Sequence, residues 1–397
     1  MSVYNPPTLT GFNSSPPPDD GTQVAANQIL WATILSKIGT PLKIFTEDMN
    51  SAIAAAIDTL DSLSRDQNIL INGDFAVAQR GTTFTSATTP ANNDDTYLLD
   101  RWTLLSDGND IVDVSQSTTV IPTGGTASIL LDVETANAKF GIIQFVENRI
   151  ARSIIGGICS LSFQARITGS SITAIRAGVL AWSSTADSVT SDVVSAWGAA
   201  GTNPTLVANW TFENTPAALT APTTSFQTYT IENISIDTSS AANVAVFIWI
   251  DDVTTTIGDF LYISDVQLEI GATATSFKRR QFTTEEELCK RYCQRPGAGA
   301  ASKVLGAGYC YSTTQAEIFI PLSPSMRTES PTATYSSASA FLLRDSNAAS
   351  VATTAISSTI IGSGGILVGV TTAAGLTDAQ GTVLISNTGT ITVSNEL

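Results

Sequence analysis

The period of the apolar positions changes along the chain. From residue 46 to 67, Met49, Ile53, Ala56, Leu60 and Leu63 recur at spacings of 4, 3, 4 and 3. That is a coiled-coil seam about two and a half heptads long, with Thr46 placed as N-cap and Glu47 and Asp48 in the first turn. An amphipathic helix lying on its own domain would give the same pattern. At residue 68 the period shifts to two. In "NILINGDFAVAQRGTTF" (68–84), Ile69, Ile71, Phe75 and Val77 alternate around a Gly73-Asp74 turn signal, which predicts an opening strand.

Alternation then continues to about residue 281. Leu161, Phe163, Ala165 and Ile167 interleave with Ser160, Ser162, Gln164 and Arg166, and Val266, Leu268 and Ile270 with Asp265, Gln267 and Glu269, so each strand shows a core face and a wet face. "NVAVFIWI" (243–250) is apolar on both faces, as a central strand covered on each side must be. Trp102 and Trp249 fall within such patterns and belong to the core. Many short strands broken by Gly, Asn, Pro and Thr predict an antiparallel jelly-roll sandwich over 68–281. A linking helix follows over 282–296, with Thr283 or Thr284 as N-cap, Glu285, Glu286 and Glu287 in its first turn and Pro296-Gly297 as its stop. Strands resume in a smaller β-domain over 297–397. Its last hairpin is expected to run from Val383 and Ile385 through Asn387-Thr388-Gly389 to Ile391 and Val393.

Residues 1–45 differ from all of this. Pro6, Pro7, Pro16, Pro17 and Pro18 precede Asp19-Asp20-Gly21, an extended segment that is either a disordered tail or an arm that orders against a partner. A short helical pattern through Ile29, Leu30, Ile34 and Ile38 follows, stopped by Gly39 and Pro41.

Composition narrows the chemistry. Against 35 Asp and Glu stand 19 Lys and Arg, a net charge of −16, which repels phosphate backbones and anionic membrane surfaces. Nucleic-acid binding and membrane insertion are not expected. The amino terminus lacks a basic start and an apolar core, so it does not read as a signal peptide. Histidine is absent, which removes the usual general base of serine and cysteine triads and the commonest metal ligand. Cys159, Cys289, Cys293 and Cys310 read as buried thiols, and no cofactor or metal is expected. Asp94-Asp95 and Asp251-Asp252 are adjacent pairs pointing to opposite faces, unlike the facing carboxyls of a glycosidase; Asp251-Asp252 could instead join a structural Ca²⁺ site. Lys278, Arg279 and Arg280 form a basic cluster expected to pair with the acidic helix start at 285–287. In the loop-rich segment 182–214, Trp182, Trp197 and Trp210 stand among Ser, Asp, Asn and Gly. They are candidates for stacking on sugar C–H groups, or for core and subunit-interface packing.

Several stretches in order resemble the tail-fibre and related virion proteins of tailed bacteriophages. They are the arm "PPPDDGTQVAANQILWATILSKIGTPL", "NGDFAVAQRGTTF", "LLDRW" (98–102), "YISDVQLEIGATATSFKRR" (262–280), "EEELCKRYCQR" (285–295), "PLSPSMRTESPTATY" (321–335) and the terminal "VSNEL". The resemblance implies a homotrimer located in the virion, on tail or capsid, after synthesis in the bacterial cytoplasm. It implies attachment to other phage structural proteins through residues 1–45, with Tyr4, Phe12 and Trp31 as anchoring residues. Carbohydrate-binding-like sandwiches would then face a host surface glycan. A capsid-attached fibre without a receptor role and a glycan-degrading tailspike enzyme are the alternatives.

Overall fold

In the computed structural model, which describes residues 33, 37, 48–53, 68–250, 254–297, 302–345 and 350–397, the stretch 68–82 contains no strand. The first pairing is at Thr83–Phe84. Ile69, Ile71, Phe75 and Val77 are buried as their alternation predicts, but Asn72 and Phe75 take φ of 57° and 54°, a left-handed conformation that breaks a strand. Backbone bonds to the neighbouring chain are few, from the Ile69 N–H to Leu268 and from the Val266 N–H to Gly73, and side-chain amides supply others. Asn68 donates to the Val266 carbonyl and accepts from the Leu268 N–H, and Gln144 both donates to and accepts from the Ile71 backbone. At Gly73 a Cβ would come within 2.1 Å of the Val266 carbonyl oxygen, so only glycine allows this approach.

Two six-stranded antiparallel sheets follow. In spatial order the first contains Thr83–Phe84, Val112–Ser117, Ser128–Val133, Phe260–Ile270, Ile158–Thr168 and Gln227–Ser235; the second contains Trp210–Phe212, Ile175–Trp182, Asn243–Ile250, Phe140–Val146, Thr103–Ser106 and Thr96–Tyr97. From Ser128 to Trp182, and again from Gln227 to Ile270, successive long strands alternate between the sheets, which makes the sandwich jelly-roll-like. Leu161, Phe163, Ala165 and Ile167 meet Val244, Val246 and Ile248 in the principal core. Every residue of Asn243–Ile250 is buried, because Ala245, Phe247 and Trp249 enter a second apolar cluster on the other side of their sheet.

Beyond the sandwich, the helix Phe282–Lys290 begins after Gln281, and neither Thr283 nor Thr284 is its cap. Glu285 instead turns inward to accept from the Asn72 N–H and from Arg280. A closed barrel holds Lys303–Cys310, Gln315–Pro321, Gly365–Thr372, Ser350–Gly362, Phe341–Asp345 and Gly381–Ser386, around a core including Ile318, Phe341, Val368 and Leu384. The expected final hairpin does not form. The N–H groups of Asn387, Thr388 and Gly389 all donate to the Ala340 carbonyl, so the turn is tied to a third element. Gly381–Ser386 stays in the barrel, while Ile391–Ser394 pairs with Cys293–Gln294 and Thr332–Tyr335.

The last residues reach back to the sandwich. Glu396 is held by Arg80 (2.8 Å) and Arg101, their side chains 7%, 7% and 2% exposed. Arg101 donates to the Phe145 carbonyl at 2.7 Å and lies 3.6 Å over the Tyr292 ring. Arg327 binds the carbonyls of Asn395 and Glu396, each at 3.0 Å, and the Tyr97 hydroxyl donates to the Leu397 carbonyl.

The chain divides into two units, Met1–Asp66 and Gln67–Leu397. In the first, residues 48–53 are helical, and Met49 and Ile53, one turn apart, are 46% and 50% exposed. Ala56, Leu60 and Leu63 lie outside the described residues, as do Tyr4, Phe12, Trp31 and the pair Asp251-Asp252. Among the described residues no helix is long and apolar enough to cross a membrane.

Two acids respond to pH in opposite senses. Burial opposes ionisation of Glu396, but Arg101 and Arg80 outweigh it and hold the carboxyl below its ordinary range. Its contribution to stability is therefore present above the unfolded value and lost as pH falls through the folded one. Glu396→Ala is expected to lower unfolding free energy by about 3–5 kcal/mol at neutral pH, since it strands two buried guanidiniums; denaturant titration checks this, and an unchanged midpoint refutes the clamp. Asp132 stands directly across the ladder from Asp113. Partial burial, then Glu134 and Asp113, push it up to about 6, so what it contributes is present below its unfolded value and lost as pH rises through 6. Asp132→Asn is expected to raise the melting temperature at pH 7 and to leave it unchanged below about pH 4. A pH series of melts reads both limbs.

Candidate functional site

The tryptophans singled out in the sequence do not form an open stacking face. Trp182 and Trp210 are each 4% exposed, their ring centroids 5.3 Å apart, and Trp210 also packs on Phe145. Both indole N–H groups donate to backbone carbonyls, Thr185 and Thr190. Trp197 is half-buried against Phe247 at 6.0 Å. Segment 183–209, through Val189, Trp197, Leu206 and Val207, thus acts as an apolar cover for the outer face of the second sheet, while Trp182 and Trp210 stand on paired strands of that sheet; the core-packing alternative matches their burial. A tryptophan among Ser, Asn and Gly looks exposed because the surface it covers is distant in sequence.

The outer face of the first sheet is organised differently. Gln267 and Glu269 alternate with Val266 and Leu268 as the pattern predicts, yet they and Asp265 are buried rather than wet. Residues 271–280 fold back over them. Glu269 accepts from the Thr275 N–H and hydroxyl at 2.6 and 2.7 Å, and Gln267 accepts from the Lys278 N–H at 2.8 Å. This returning loop forms one wall of a cleft of about 350 Å³, lined by Ser162, Gln164, Thr228, Thr230, Asp265, Thr275, Ser276 and Phe277. Ser162 and Gln164, and Thr228 and Thr230, are alternate residues on two neighbouring strands, and Asp265 lies on the next strand.

Asp265 sits where the pairing of Phe260–Ile270 with Ile158–Thr168 shifts register. Its φ of 52° is the left-handed conformation that a bulge residue can take. Arg279 donates to it at 2.5 Å and Gln164 at 3.0 Å. Burial raises its pKa, against the pull of Arg279. Arg279 also contacts Asp74 at 3.2 Å, and Asp74 accepts from the Thr126 hydroxyl at 2.8 Å. Of the basic cluster, then, Arg280 meets Glu285 as expected, whereas Arg279 goes to Asp74 and Asp265.

Asp74 and Arg279 line a second cleft of about 290 Å³ with Gln116, Thr118, Thr126, Arg280, Phe282 and Glu285. Among the described residues no group of His, Cys, Asp and Glu side chains is placed to hold a metal ion. All four cysteines are buried and unpaired, and burial pushes the Cys293 thiol up to about 12. Asp94 accepts from the Ser106 N–H and Asp95 from the Ser191 hydroxyl, 96 residues away in sequence.

Nothing in the sequence separated Thr228 or Thr230 from any other strand threonine, and Phe277 carried no signal of its own. The one legible sign was the run of polar side chains alternating with Val266 and Leu268. No protein-family model matches the chain, and no curated protein matches it. Among solved structures it is similar to the enzymatically active domain of tailspike protein 4 of bacteriophage CBA120, at 15% identity and a TM-score of 0.30, over 52% of this chain and 21% of that one. It is similar to TmCBM61, solved with β-1,4-galactotriose, at 13% identity and a TM-score of 0.28, over 51% of this chain and 97% of that one. It is similar also to a xylan-binding domain from CBM 22, at 16% identity and a TM-score of 0.29, over 46% and 95%. Each likeness covers about half of this chain, and at these values none of them says what the chain binds.

Proposed function

We propose that this chain is a structural protein of a tailed-phage virion, a trimeric fibre or adhesin that contacts a host surface glycan through its sandwich without cleaving it. One observation carries the glycan reading: an open cleft on the outer face of the first sheet, lined by the hydroxyls of Ser162, Thr228, Thr230, Thr275 and Ser276, the amide of Gln164, the carboxylate of Asp265 and the ring of Phe277. Sugars present hydroxyls at their edges and C–H groups on their faces. A few placed polar groups beside an aromatic ring complement both. Asp74 and Asp265 are both turned onto Arg279, which argues against their acting as a free acid and base across a bond.

The virion setting rests on the order of sequence stretches resembling phage fibre proteins. The trimer is supported by the seam from Met49 to Leu63, in which Met49 and Ile53 are helical and exposed. Residues 1–45, with Tyr4, Phe12 and Trp31, are the proposed attachment to the particle.

On an array of bacterial surface polysaccharides the wild-type chain is expected to bind, and Thr228→Trp, which fills the cleft from an exposed position, to lose at least tenfold in affinity with its melting temperature unchanged. Equal binding by both proteins would sink the assignment of the cleft. Light scattering is expected to give a mass three times 41.5 kDa; a monomer would remove the fibre reading.

A further inference from the structure

The two clefts meet at one side chain. Asp265 lines the first and Asp74 the second, and the guanidinium of Arg279 spans them, its Nη2 on Asp265 and its Nε on Asp74. Its remaining terminal nitrogen donates to the Gly124 carbonyl at 2.8 Å, so each of the three nitrogens has a partner that holds the side chain between the clefts. It is nonetheless 29% exposed, and its carbon CZ stands 5.1 Å from the Phe277 ring centre. Each cleft carries an aromatic ring: Phe277 in the first, and Phe282, 56% exposed, in the second. Neither cleft at about 350 or 290 Å³ is more than a small compartment by the standard of ligand sites, which run from roughly 300 to 1,000 Å³.

We infer that the two clefts are successive subsites of a single groove, and that its ligand is an uncharged oligosaccharide of several units crossing over Arg279. This rests on the glycan reading of the first cleft and extends it. The charge of the groove follows from its lining. Asp74, Asp265 and Glu285 face Arg279 and Arg280, and both arginines are already bound to those carboxylates. Among the described lining residues every cation is paired, and an added anion would meet three carboxylates. The polar groups that remain are uncharged: the Thr118 hydroxyl and the Gln116 amide oxygen, whose nitrogen donates to the Phe75 and Ala76 carbonyls, in the second cleft, and the hydroxyls of Ser162, Thr228, Thr230 and Ser276 in the first. They hydrogen-bond without requiring charge on the ligand.

The test titrates the full chain with gluco- and galacto-oligosaccharide ladders of one to six units, and with a galacturonate ladder of the same lengths, by calorimetry. Affinity is expected to rise at least tenfold between the disaccharide and the tetramer of a neutral ladder, with weaker binding of the galacturonates. Thr118→Trp, at an exposed position of the second cleft, is expected to reduce the tetramer to disaccharide affinity while leaving the disaccharide unchanged; Phe282→Ala is expected to act in the same direction by removing a stacking face. Thr228→Trp is expected to abolish both. If no ladder binds the wild-type chain, the glycan reading itself falls. If a neutral ladder binds but affinity is flat with length, or neither second-cleft variant alters the tetramer, the single-groove inference is overturned while the first cleft stands. Tighter binding of the galacturonates would overturn the assignment of an uncharged ligand.

Discussion

The pairing of Glu396 with Arg80 and Arg101 is the interaction on which the arrangement of Gln67–Leu397 depends. Three charged groups are removed from water there, and each ion taken into a protein interior costs several kcal/mol unless its partners and hydrogen bonds are well placed. That demand explains how many elements converge on the spot. The Phe145 carbonyl and the face of Tyr292 fix the plane of Arg101, Arg327 fixes the backbone on either side of Glu396, and Ser394 adds a hydroxyl to Arg80. An apolar contact tolerates sliding; a charge in a dry site does not. Sandwich, linking helix and final strand therefore share one registration.

The two sheets show two solutions to the problem of an outer face. The second is apolar on both sides and needs a cover, which the segment carrying Trp197, Leu206 and Val207 provides. The first keeps polar side chains outward and needs only a partial roof. Residues 271–280 supply it by bonding to Gln267 and Glu269, and what they leave uncovered is the cleft. A covered face offers no room for a ligand, while a bare polar sheet offers no walls. The half-covered face offers both.

Much of the fold was legible in the sequence because period-two alternation reports burial directly. The strands around Leu161–Ile167 and the doubly buried Asn243–Ile250 fell where the pattern placed them, and Trp102 and Trp249 in the core. What failed had a common cause, a long-range partner that local sequence does not reveal. Residues 68–77 read as a strand, but Asn68 and Gln144 replace the ladder. The Asn387-Gly389 turn read as a hairpin, but the Ala340 carbonyl holds it. The candidate site was less legible still. Trp182 and Trp210 had the chemistry of a sugar platform without its exposure, whereas Thr228 and Ser276 had the exposure without any distinguishing pattern.

The span of the contacts at the end of the chain has a kinetic side. The Tyr97 hydroxyl and the Leu397 carbonyl are 300 residues apart, and Arg101 and Glu396 are nearly as distant. Closing so large a loop carries an entropy that grows only slowly with length, but contacts of this range form late and make folding slow. Interactions absent from the transition state act mainly on the unfolding rate. The buried charges that delay completion of the fold are thus the same ones that would lengthen its lifetime once closed.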